Sequence, residues 1–244
     1  MAKKKTKKQA TKSHSWRMCP AGKHWVSTHS LRVPISEKNP SGMTVRDGHC
    51  RINRSKKDQI YSDEISEIAS RFFKRVKKLP KPDKLNKSKG NDYDRLIAGW
   101  TKYWNEVLKS KQPLDPNLVK VLIRTESDFN EKAKVLANKG NWARGLMQVT
   151  DQTIEILKNE KGELKDFLIN IDQQEAFDPN LNICAGVRWL FHKKYLLESR
   201  LKRVVSWEEA AMEYKSYTKE LREGKANAIE QREKFLILYE RLKK

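Results

Sequence analysis

Arg124-Thr125-Glu126-Ser127-Asp128-Phe129-Asn130, followed downstream by Gly145-Leu146-Met147-Gln148, sets one carboxylate at the end of an apolar stretch and a glycine-led segment after it. Working back from Glu126, Asp115 precedes Pro116, and Asp at the N-cap with Pro in the first helical position is a strong start signal. Leu118, Leu122 and Glu126 then recur at i, i+4 and i+8, with Val119 and Ile123 beside them. The spacing predicts a helix over 115–128 whose core-facing stripe carries the carboxyl group. Burial and the negative end of a helix dipole both disfavour a carboxylate anion, which is the environment a general acid needs. A lone glutamate in the last turn of an amphipathic helix more often keeps its head in water, so its neighbours decide the reading.

Outward from this segment the pattern stays helical. From Asp92, residues Leu96, Ile97, Trp100, Trp104, Val107 and Leu108 share one side of a helix. Further helices are expected at 150–159, 179–200, 206–222 and 226–243. Asp178-Pro179 repeats the cap-then-proline start, Ile183, Val187, Leu190 and Phe191 make an apolar face, and Gly186 admits another backbone. Ser206 and Glu209 form a capping box, and Tyr214, Tyr217 and Leu221 continue it as one helix. No β-alternation appears after residue 60, so the C-terminal part reads as all-α or nearly so, and the chain as mainly α. Cys184, on a helix face, reads as a buried small hydrophobe.

Charge divides the chain differently. The net charge is +21, yet residues 92–244 carry 28 Lys+Arg against 24 Asp+Glu, while residues 1–91 carry 24 against 7. Such a leader concentrates a protein on an anionic polymer: nucleic acid, anionic lipid, teichoic acid or the carboxylates of peptidoglycan. A solvated tail that aids solubility is the plainer reading. Met1-Ala2-Lys3-Lys4-Lys5-Thr6-Lys7-Lys8 is followed by no apolar h-region, so no Sec-type signal peptide is expected. No apolar run approaches a membrane span. The expected layout is a basic tail at 1–12, a small Cys/His module at 13–58, a helix at 59–78 with Ser62 as its cap, a Pro/Gly-containing linker at 79–91, and the main domain at 92–244.

In the amino-terminal module, Val26 to Arg32 and Met43 to Arg46 can pair as a β-hairpin across a Pro/Gly-rich turn. That pairing would bring Cys19, His24 and Cys50 together, with His29 or His49 as a fourth ligand for a tetrahedral structural zinc. Cys19, His24, His49 and Cys50 are the candidate set. A Cys19–Cys50 disulfide is the second reading and incidental Cys and His residues the third.

Three segments in order carry a family resemblance: Glu126-Ser127-x-Phe129-Asn130-x-x-Ala133, then Ala143-x-Gly145-Leu146-Met147-Gln148, then Asp178-Pro179-x-Leu181-Asn182-Ile183-x-Ala185-Gly186-Val187-x-Trp189-Leu190. Together, over about residues 113–220, they resemble the soluble lytic transglycosylases of the lysozyme-like superfamily, which also holds the goose-type lysozymes. A fourth family element, Ala-Ala-Tyr-Asn-x-Gly, falls on Ala210-Ala211-Met212-Glu213-Tyr214-Lys215-Ser216-Tyr217, with Tyr214 aligned to the family tyrosine. It departs at Lys215, where the family has Asn, and at Tyr217, where it has Gly.

The resemblance implies a lysozyme-like helical domain that cleaves the β-1,4 bond between N-acetylmuramic acid and N-acetylglucosamine in peptidoglycan. It implies Glu126 as the acid that protonates the leaving oxygen and the base that then deprotonates the muramoyl C6 hydroxyl, giving a 1,6-anhydro end without a catalytic cofactor. Gln148 would bond a substrate acetamide or hydroxyl, Ser127 would touch substrate or cap the helix, Asn182 would lie near the acid, and the Tyr214 hydroxyl would position it. Met147 reads as core.

A hydrolytic lysozyme usually adds a second carboxylate about 5–9.5 Å away. Asp128 points elsewhere on a continued helix, whereas Asp151 and Asp172 stay open. A hydrolytic muramidase, and a catalytically silent scaffold that binds cell wall or nucleic acid, are the alternatives. A cell-wall substrate without a signal peptide implies delivery machinery, a phage particle or a specialised secretion system.

Overall fold

A computed structural model describes residues 16–55, 57–82 and 88–244. The tail expected at 1–12 and the middle of the linker expected at 79–91 lie outside the described residues.

Among the described residues, the first strands form a long antiparallel hairpin. β1 (Lys23–Val26) and β2 (His29–Arg32) run up, and β3 (Met43–Arg46) and β4 (His49–Ile52) return. β2 pairs with β3 from His29↔Arg46 to Arg32↔Met43, as the sequence pattern predicts, and β1 with β4, Trp25 facing Cys50. Cys19 and Cys50 are joined in a disulfide, so the second reading of the cysteines is the one adopted. The expected zinc set is therefore not assembled. Sulfur bonded to sulfur is no thiolate ligand, His24 Nδ1 lies 2.5 Å from Asn53 Oδ1, and His49 Nδ1 lies 3.0 Å from the Asp47 carbonyl. Among the described residues no group of three or more His, Cys, Asp or Glu could hold a metal ion.

β5 (Gln59–Tyr61) leads into α1 (Ser62–Phe72), where Tyr61 rather than Ser62 takes the N-cap position. Ile65 and Ile68 are buried, and after α1 the ring of Phe73 packs edge-on against Trp100, centroids 4.9 Å apart. Beneath the hairpin, Arg17 pairs with Asp58 and, at 3.0 Å, with the fully buried Glu64. α2 (Asp94–Val107) buries Ile97, Trp100, Trp104 and Val107, the side its spacing predicts. α3 (Pro116–Ser127) is capped by Asp115, which accepts from Asn117 N at 3.0 Å, and is fastened to α2 by the buried Lys120–Asp94 pair at 2.6 Å.

After α3 the structure departs from the all-α expectation. β6 (Lys134–Asn138), β7 (Asn141–Arg144) and β8 (Val149–Thr150) form a three-stranded antiparallel sheet. β6 is exposed along its whole length, which is why no apolar alternation betrays it. α4 (Asp151–Lys158) follows, capped by Thr150, and then β9 (Leu168–Asn170) pairs in parallel with β5.

α5 (Pro179–Leu201) is the central helix, buried from Leu181 through Leu190 and capped by Asp178, which accepts from Leu181 N at 2.9 Å. α6 (Trp207–Tyr214) begins with the expected capping box, but the helix does not run on to 222. It stops at Lys215-Ser216-Tyr217, and α7 (Thr218–Arg222) is separate. Ser216, at φ 64, makes the turn that a glycine would ordinarily make. α8 (Ala226–Lys243) closes the chain, burying Phe235, Tyr239 and Leu242. The fold is mainly α, with a continuous core that includes Ile60, Ile65, Ile68 and Phe73. No described helix is long and apolar enough to cross a membrane.

Candidate active site

Glu126 sits in the last turn of α3. Leu118, Val119, Leu122 and Ile123 below it are fully buried, while its own side chain is 15% exposed, covered but reachable. The chain leaves the helix through two successive left-handed residues, Asp128 at φ 52 and Phe129 at φ 60. A bulky residue holds that conformation where packing enforces it, and the Phe129 ring is buried. Asp128 turns back to pair with Arg124 and so is not a second acid facing Glu126 across a groove.

Gly145 to Gln148 form a tight loop between β7 and β8. Gly145 has φ 69, and a Cβ there would lie 2.5 Å from the Ala176 carbonyl and from Asn182 Nδ2. Four groups named from the sequence converge on this loop rather than on Glu126. Ser127 Oγ donates to the Leu146 carbonyl at 2.7 Å. Tyr214 OH donates to the Met147 carbonyl at 2.7 Å. The buried Asn182 accepts from Met147 N at 2.7 Å and donates to the carbonyls of Arg144 and Ala176 at 2.9 and 2.7 Å. Gln148, at φ 49, donates its amide to the Gly145 carbonyl at 2.8 Å. Three of Asn182's bonds and the Tyr214 hydroxyl are thus committed to backbone, which makes these residues the frame of the loop. Met147 is core, as expected, and its sulfur fills the notch left by Gly186. Gly186 therefore admits a side chain, where a backbone was expected.

The group that touches Glu126 is Lys215. Its Nζ lies 2.8 Å from Glu126 Oε1, and it also donates at 3.3 Å to the Thr125 carbonyl and to Thr125 Oγ1. The lysine is only 7% exposed. One ammonium thus satisfies a free carbonyl at the C-terminal end of α3 and the carboxyl group beside it. Sequence reasoning registered Lys215 only as a departure from a pattern; the clue was a charge in a segment of otherwise buried spacing. The Tyr214 phenol is pushed well above its ordinary range by burial and then by the Glu126 charge, and Tyr217 is raised by the same two causes.

The two carboxylates left open by the sequence are occupied elsewhere. Asp151 accepts from Arg144 Nε at 2.7 Å and Nη2 at 3.1 Å, and from Trp142 N at 3.2 Å. Those Arg144 hydrogen bonds hold its carboxyl below the usual carboxylate range despite the opposing effect of burial. Asp172 and Glu175 exchange hydrogen bonds at 2.8 Å that start the short helical turn at Glu175–Phe177. A cavity of about 940 Å³ opens in another part of the molecule, bordered by Phe167, Arg188, His192, Tyr195 and Trp207, and Glu126 does not line it.

A family model described as Transglycosylase SLT domain matches residues 102–236, more than half of the chain. No curated protein and no solved structure matches it.

Proposed function

Because the chain belongs to the transglycosylase SLT domain family, a lyase family acting on peptidoglycan, we propose that it cleaves the MurNAc-β-1,4-GlcNAc bond with Glu126 as the single acid and base. The observation that carries this reading is the Glu126 carboxyl group: largely covered, at the end of a buried helix, next to a loop gripped by Ser127, Asn182 and Tyr214. A rigid frame of that kind supports the sub-ångström placement that general acid–base chemistry demands.

Glu126 would give its proton to the leaving O4 of N-acetylglucosamine. The substrate acetamido oxygen would cover the positive charge at C1. The muramoyl C6 hydroxyl would then close onto C1 as Glu126 takes its proton, leaving a 1,6-anhydro end. The assignment of Asp128, Asp151 and Asp172 to other partners favours this route over a two-carboxylate hydrolysis. The basic amino-terminal region would hold the enzyme on an anionic polymer such as peptidoglycan. A disulfide in that region fits work outside the cytoplasm.

The Glu126–Lys215 pair favours one second reading, a silent scaffold whose acid is permanently neutralised. Digestion of purified sacculi, with Glu126→Gln as control, separates them by mass spectrometry of the released muropeptides. Anhydro ends that vanish in the control support the lytic reaction. Reducing ends would replace it with hydrolysis, and no products would leave the scaffold.

A further inference from the structure

We infer that Lys215 is the proton partner of Glu126, handing it the hydrogen needed for bond cleavage and receiving one back at ring closure. The inference rests on the lytic reaction proposed above. Its basis is a contact between an ammonium nitrogen and a carboxylate oxygen at 2.8 Å, with the two side chains only 7% and 15% exposed.

An ion pair in that setting is stable while some water reaches it. Covering it with a sugar polymer removes that water, and charges transferred into a drier medium lose more than neutral groups do. Moving one proton from Nζ to Oε1 along the existing hydrogen bond turns the pair into a carboxylic acid and an amine. The site then contains its acid at the moment the substrate closes it.

The cycle balances. The bond from C1 to O4 breaks, O4 takes the proton from Glu126, and the substrate acetamido oxygen bonds C1. The C6 oxygen then bonds C1, the acetamido bond breaks, and the C6 hydroxyl proton passes to Glu126 and on to the Lys215 amine. No proton is exchanged with bulk water and the ion pair is restored.

Other groups around this corner leave the exchange to these two. On α3, Arg124 pairs with Asp128; on α6, Glu213 pairs with Arg200 at 2.8 Å. Glu220 on α7 acts on Tyr217. The Tyr214 and Tyr217 hydroxyls sense the Glu126 charge and are both raised by burial first and by that charge second, so they keep their own protons. Lys215 acts through Glu126 and so is a positioning residue with a proton to lend.

The test is the pH dependence of muropeptide release from sacculi by wild type, Lys215→Arg and Lys215→Met, each confirmed by circular dichroism to be folded at the assay temperature. A guanidinium can keep the pairing but cannot release a proton. Lys215→Arg should therefore lose roughly a hundredfold or more in kcat with KM little changed. Lys215→Met, dependent on solvent protons, should work only on the acid side of the wild-type profile. Lys215→Arg at wild-type rates, or Lys215→Met with a wild-type profile, would overturn the inference. Greater activity of Lys215→Met at every pH would also overturn it, making the lysine a restraint. An inactive wild type would instead defeat the lytic reading, and this inference with it.

Discussion

Ser127 and Leu146 meet through one hydrogen bond of 2.7 Å, from the side-chain hydroxyl of one to the carbonyl of the other. The residue next to Glu126 therefore holds the Gly145–Gln148 loop, and the distance between helix end and loop is fixed by a neighbour of Glu126 rather than by Glu126. Mutations in this frame should damage activity without touching the substrate.

Asn182→Leu should be the most severe of them. It strands the Met147 amide and the carbonyls of Arg144 and Ala176 in a buried setting, and one such loss costs about 1–3 kcal/mol. A destabilisation of about 3 kcal/mol or more is expected from urea unfolding. Stability within 1 kcal/mol of wild type (about the lower bound for one lost bond) would mean that the loop does not depend on this amide.

Gly186→Ala tests the packing under the same loop. The added methyl would lie 2.5 Å from Met147 Sδ and 2.7 Å from Met147 Cβ, and the latter contact cannot be relieved by a rotamer change. Overpacking of this kind costs about 1–3 kcal/mol. The variant should also release muropeptides more slowly, and full activity would show that displacing Met147 leaves Gln148 and the loop unmoved.

Acid should weaken the Arg144–Asp151 strut. The Asp151 carboxyl is held below its ordinary value, so its stabilisation is complete above about pH 4 and is lost as the pH falls through the lowered value. Asp151→Asn removes that contribution. The melting temperatures of wild type and variant should differ at neutral pH and converge in acid, and a constant gap down to strongly acid pH would contradict the assignment.

Reduction, rather than chelation, should loosen the amino-terminal hairpin. Cys19 and Cys50 close a loop with a sequence separation of 31, for which the chain-entropy term is about 3–4 kcal/mol. A thiol reductant should lower the melting temperature while EDTA leaves it unchanged. The opposite pattern would restore the metal reading.

Arg17→Met addresses the footing of that hairpin. Glu64 is fully buried, and burial raises its carboxyl above the ordinary range while Arg17 opposes the rise. Removing Arg17 leaves that acid without its counter-charge, at a cost of about 3–5 kcal/mol. Thermal or chemical unfolding reads this directly, and the double variant with Glu64→Gln should recover part of the loss.

The helices were legible where caps and apolar spacing agreed, as at Asp115-Pro116 and Asp178-Pro179, because both signals are local. β6 was not, since every residue in it faces solvent and its partner supplies what order it has. The break after Tyr214 escaped because Ser216 takes a left-handed conformation that its side chain does not announce. At the site, Ser127, Gln148, Asn182 and Tyr214 read as residues facing substrate or acid, and the bonds they make to the loop backbone were not legible. Asn182 and Tyr214 serve a backbone loop, and whether a polar side chain points to substrate or to a carbonyl depends on atoms brought in from distant sequence. Lys215 was visible as an oddity, and its meaning came only from the 2.8 Å to Glu126.

The parallel pairing of Gln59–Tyr61 with Leu168–Asn170 has a consequence for how the molecule is made. During synthesis the earlier strand leaves the ribosome more than a hundred residues before its mate exists, and it must wait with that edge unpaired. Such a long closure slows folding and leaves a strand edge open to wrong partners in the interval. A fragment beginning at residue 102, where the family match starts, would never close it, and should come out of cells as an aggregate.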